Sequence, residues 1–310
     1  MVAQTITRIK MSFIQLRRLF VCFTLFTSSI YAANTDTAIS FLPTDSTHAN
    51  WVFSGLVTNE SGDNYGYFFQ IQRDGAEFNT LAALFDAQTK KVIVIDESKA
   101  IITDPTAQNW HVGQAFLRFN PINDSWIFGL KTHDKKGFNF KVDMLKAPQD
   151  NPTVQNLRPG VELLVSQTSR LNGHIQIGDD SKDQFVTAKN AWFRQISLTE
   201  QPSKSHPFTG VLCRFNDGSG FYSVNMVEPD TLRGAVAGWR DGQGLSAMMS
   251  QFINITQAPE GPWHIRLASP SLHLILSDFI KQDPVVAAGF VADAATPGFC
   301  MLSKGSIGVS

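Results

Sequence analysis

Charge, cysteine and long hydrophobic runs are all scarce in this chain of 310 residues. Charged side chains make up 17% of it and sum to a formal net charge of -1, so no field of one sign draws in phosphate backbones or anionic membranes. Nucleic acid is therefore not expected as a partner. The apolar run 19–26 is too short for a permanent transmembrane helix, and no later segment approaches membrane-spanning length. There is no Cys-x-x-Cys pair and no His-x-x-x-His spacing, which leaves a metal centre without support, and no cofactor is expected. A Gly-x-Ser-x-Gly elbow and a Gly-x-Gly-x-x-Gly turn are also missing, and with them the hydrolase and dinucleotide-binding readings. No long stretch repeats apolar residues every 3.6 positions, so helices are not the building material.

What the chain does have begins at its start. Lys10, Arg17 and Arg18 precede the apolar run, and small residues ending at Ala32-Ala33 follow it, the pattern of a cleaved export signal over residues 1–33. Translation from Met1 or from Met11 is compatible with that signal. The mature protein is expected in the periplasm or outside the cell, with no integral membrane segment left after cleavage. Only Cys213 and Cys300 then remain, and in an oxidising compartment they are open to pairing or to life as two small core hydrophobes.

Aromatic residues are abundant: 24 Phe, six Trp and four Tyr, a load suited to pleated, half-buried sheets. Turn clusters punctuate the apolar segments. Residues 59–64 separate two apolar strands, as do residues 120–124 with Pro121 presetting the turn, and residues 216–219. Phe138, Phe140, Val142 and Met144 alternate with Asn139, Lys141 and Asp143; Trp263, Ile265 and Leu267 alternate with His264 and Arg266. That period of two puts one face inward and one in water. Residues 81–85 and 272–280 read as short helices, the second equally well as a strand. The fold class is all-β, antiparallel, in two units divided near 199–207, where Pro202 and Pro207 stand among serines and lysines.

Four segments resemble the AttH family, which includes carotenoid 1,2-hydratase. They are Asn50-Trp51-Val52-Phe53-Ser54-Gly55 with Tyr65-Gly66-Tyr67, then Ala191-Trp192-Phe193-Arg194, then Gly261-Pro262-Trp263-His264, and last Gly298-Phe299-Cys300-Met301-Leu302-Ser303. They follow the family's order and span most of the mature chain. The resemblance implies two lipocalin-like β-barrels in tandem, over 34–200 and 205–310, with an apolar small molecule, isoprenoid or lipid-like, as partner. It also implies a hydratase chemistry in which a carboxylic acid protonates an isolated double bond, its pKa raised by the desolvation that binds the substrate.

The departures from that pattern bear on the chemistry. Asn50, Arg194, Ala288 and Met301 stand where the family has carboxyls. A guanidinium stays charged at ordinary pH and is no substitute for a proton-donating acid. The expectation is thus a binding protein without hydratase activity, with Trp51, Tyr67, Trp110, Trp192, Arg194 and Trp263 as ligand contacts. Each tryptophan has an equally simple role in core packing. Two alternatives remain. One is a diverged hydratase or isomerase using His111, Asp86, Glu97 or Asp278; the other is a protein-interaction module whose barrels are packed solid.

Overall fold

The computed structural model describes residues 46–308 apart from 105–108, 145–153, 179–181, 202–203, 227–234, 248, 250–252, 258, 260, 277–278, 281–284 and 292–296. The signal segment, Pro202 and Asp278 lie outside the described residues. Leu42–Ser310 gathers into one compact unit. Every described element is a strand, and every pairing is antiparallel.

Thirteen strands build the first sheet: β1(His48–Asn59), β2(Asn64–Asp74), β3(Glu77–Asp86), β4(Lys91–Ile101), β5(Asn109–Val112), β6(Ala115–Asn120), β7(Ser125–Lys131), β8(Gly137–Asp143), β9(Gln155–Arg158), β10(Val161–Gln167), β11(Arg170–Gln176), β12(Gln184–Ala188) and β13(Trp192–Leu198). Ten of them run in the order β4-β3-β2-β1-β12-β11-β8-β7-β6-β5, and β5 returns beside β3 and β4 to nearly close a barrel. β1 serves two neighbours on one edge. Its end pairs with β12 at Thr58 and Asn59, while Ala49 to Ser54 pair with β13, from which β10 and β9 branch.

The predicted turns are where the hairpins bend. At 59–64 the Asn59 side chain accepts a hydrogen bond from the Asp63 amide at 2.8 Å, a side-chain bond that substitutes for a ladder bond and fixes the register of β1 on β2. Residues 81–85 are not helical. They lie in β3 with both faces covered: Leu81, Ala83 and Phe85 on one side, Ala82 and Leu84 on the other. Burial on both faces turns an alternating strand into a continuous apolar run, which periodicity cannot separate from a buried helix.

The second part is divided between two sheets. β14(His206–Phe215), β15(Gly220–Met226), β16(Ala235–Arg240), β17(Ser246–Ala247), β21(Phe279–Ile280), β22(Val285–Val291) and β23(Gly298–Ile307) form a seven-stranded sheet in the order β17-β16-β15-β14-β23-β22-β21. β18(Ile253–Gln257), β19(Trp263–Leu267) and β20(Leu272–Leu276) form the other, so 272–276 is a strand, as one of its two sequence readings has it. Between them lies a core of Val211, Phe215, Phe221, Trp263, Ile265 and Leu274, which contains the Cys213–Cys300 disulfide. The two cysteines face each other directly across β14 and β23.

A second core joins the first sheet to the seven-stranded one. Val52, Phe68, Phe85, Trp192 and Ile196 of the one pack against Phe208, Leu212, Tyr222, Phe299 and Met301 of the other. Gly66 makes this approach possible, because a β-carbon there would overlap the Phe299 ring.

Candidate functional site

Alternation along the strands sorts the predicted contacts into three places. On β1 and β2 the side chains of Trp51, Phe53, Tyr67 and Phe69 enter the barrel, where they meet Trp110, Trp126, Phe128, Phe138 and Phe140. These rings pack on one another: Phe53 on Phe128 at 4.3 Å, Phe138 on Phe140 at 4.8 Å, Trp51 on Trp110 at 5.4 Å. Trp51, Tyr67 and Trp110 thus belong together in a filled interior. Burial pushes the Tyr67 phenol far above its ordinary value, so it stays protonated.

Trp263 is elsewhere, in the core under the three-stranded sheet with the Lys304 ammonium 4.4 Å from its ring. Trp192 and Arg194 alone share the junction between the two sheets. Trp192 donates its indole N–H to the Cys213 carbonyl at 2.8 Å and stands edge-on to Tyr222.

Arg194 is the centre of this junction. It is 1% exposed, donates to Asn50 Oδ1 at 2.8 Å and to Ser303 Oγ at 3.1 Å, and lies 5.3 Å from the Phe208 ring. Both hydrogen-bond partners are neutral. Burial depresses its pKa to about 9, which still leaves it charged at neutral pH. Its Nε and the Asn50 Nδ2 are buried without a protein hydrogen-bond partner. Gly210 on β14 is the space the guanidinium occupies, since a β-carbon there would overlap Nη1.

Asn50, Arg194, Ala288 and Met301, the four positions where the resemblance calls for carboxyls, converge here. Asn50 bonds Arg194, Arg194 bonds Ser303 two residues beyond Met301, and Met301 pairs with Ala288 across β22 and β23 in the same apolar core. Among the described residues no Asp or Glu is buried. The weaker catalytic candidates lie apart: His111 is exposed on β5, Glu97 is exposed on β4, and Asp86 caps a turn by accepting from the Gln88 amide.

A cleft of about 290 Å³ opens between the sheets beside the junction. Leu56, Thr58, Asn64 and Lys189 line one wall, Arg214, Phe215 and Asp217 the other. Leu56 also packs against the junction core. Arg214 donates to the carbonyls of Gly218 and Ser219, and its pKa falls to about 10, burial outweighing the opposing pull of Asp217. The sequence does not single out Ser303, Phe208 or Arg214 as site residues; Gly210, inside a strand, was the available sign of close approach.

No family model matches the sequence, and no curated protein is similar to it. Solved structures are similar in shape. A protein provisionally assigned as AttH from Nitrosomonas europaea superposes with a TM-score of 0.59 at 13% identity, covering 84% of this chain and 93% of its own. Kievitone hydratase from Nectria haematococca does so at 0.58 and 11%, covering 84% and 89%. The chain has the lipocalin-like fold of these AttH-like proteins.

Proposed function

We propose that this protein is an exported AttH-like binding protein that holds a small, largely apolar molecule, isoprenoid or lipid-like, at the junction of its two β parts. The observation that carries this reading is the convergence of Asn50, Arg194, Ala288 and Met301 on one core, with an Asn50–Arg194–Ser303 cluster where the resemblance calls for carboxyls. Kievitone hydratase shares the fold and is named for adding water; a cation in an apolar core opposes the carbocation such chemistry passes through. Ligand binding then rests on burial of apolar surface, at ~25 cal/mol per Å². Arg194 and Arg214 favour a ligand with an acidic or carbonyl end, and the cleft at Arg214 is its way in.

The test uses the full chain produced with its export signal. Trp192 at the junction makes intrinsic fluorescence a direct readout. All-trans-retinoic acid and oleate are expected to quench it one to one, and methyl oleate to bind at least about tenfold more weakly than oleate. Arg194→Met is expected to erase that preference. Protein that is isolated empty and ignores every probe defeats the binding reading, and a product heavier by one water after incubation with an unsaturated isoprenoid defeats its non-catalytic half.

A further inference from the structure

The outer face of the three-stranded sheet holds two histidines that the core does not use. β19 pairs with β20 so that His264 is opposite Ile275 and Arg266 opposite His273, which places the two imidazoles on a diagonal of one face. The other face carries Trp263, Ile265 and Leu274 into the core. His264 Nδ1 and His273 Nε2 are 3.1 Å apart, and the rings stack at 5.3 Å with 22° between their planes. Both side chains are half-buried, so their directions are held by the sheet.

Two ring nitrogens this close are within reach of a single cation. An ion bonded at about 2.0–2.1 Å to each of two nitrogens 3.1 Å apart subtends roughly 100°, close to what tetrahedral and square-planar ions accept at neighbouring positions. We propose that His264 and His273 form a two-histidine chelate for a borderline divalent transition ion, Zn²⁺ or Cu²⁺, whose other positions are filled by water. Imidazole is the ligand type that suits these ions. Among the described residues no third His, Cys, Asp or Glu joins the pair. Arg266 is the charged neighbour on this face and weakens it; Thr256, opposite His264, is neutral. Protons and metal compete for the same two nitrogens, so affinity falls on acidification.

Calorimetric titration of untagged protein with Zn²⁺ tests this. One equivalent is expected to bind with a dissociation constant on the order of micromolar. His264→Gln and His273→Gln should each weaken it at least about tenfold, and Arg266→Gln should tighten it. His133→Gln, in the exposed turn between β7 and β8, should leave it unchanged. The electron paramagnetic resonance spectrum of the Cu²⁺-loaded wild type needs no variant to fold and should show two coordinated imidazole nitrogens. The absence of Zn²⁺ binding up to millimolar metal, binding that survives both histidine substitutions, or a Cu²⁺ spectrum with fewer than two imidazole nitrogens overturns the proposal.

Discussion

The barrel interior and the junction are buried to the same degree but filled on different terms. Inside the barrel, phenylalanine, tryptophan and tyrosine rings meet each other at 4.3 to 6.5 Å, and the cohesion is apolar area plus ring geometry. At the junction an arginine lies among Phe208, Trp192 and Met301, held only by an amide and a hydroxyl. The first arrangement buries mostly apolar area, with the Trp51 and Trp126 indole N–H groups and the Tyr67 hydroxyl left without a protein partner. The second carries the desolvation cost of a buried charge, which an apolar residue of the same volume would avoid.

The largest expected effect tests the filled barrel. Phe128→Ala removes a ring that touches Phe53, Phe69, Tyr67 and Phe140, and should cost about 3–5 kcal/mol in urea unfolding. A cost below about 1 kcal/mol would mean that the barrel is loosely packed, and the contrast with the junction would collapse. Next is the disulfide, which lies in neither region: Cys213→Ser with Cys300→Ser should lose about 2–4 kcal/mol, and native unreduced protein should take up no thiol label at either position.

Gly210→Ala is expected to cost about 1–3 kcal/mol through displacement of the Arg194 guanidinium. Its cost should shrink in an Arg194→Met background, and a double-mutant cycle with no coupling would remove Arg194 from the place assigned to it. Lys304→Met, which keeps the aliphatic stem over Trp263 but not the charge, is the smallest change, about 0.5–1 kcal/mol.

Much of the fold was legible because turns and alternation are local. The hairpins at 59–64, 120–124 and 216–219 bend where Asn, Asp, Gly and Pro cluster, and β8 and β19 bury the alternate residues their pattern marks. Residues 81–85 fit a short helix as well as a strand by sequence because both faces of β3 are covered, the Leu81, Ala83 and Phe85 face by segments far away in sequence. Trp51 and Trp192 illustrate the limit at the site. Both follow the same family-like motif style, yet one faces the barrel and the other the junction, a matter of which side of a strand each occupies.

Local chemistry thus determined the strands and the turns, and put Asn50, Arg194, Ala288 and Met301 at the four positions where the resemblance calls for carboxyls. Only the tertiary structure decided that these four positions meet, that Cys213 faces Cys300, and that His264 reaches His273. Each of those meetings depends on strand register or on sheet-to-sheet packing between segments distant along the chain, and a shift of one residue would have sent every one of these side chains to the opposite face.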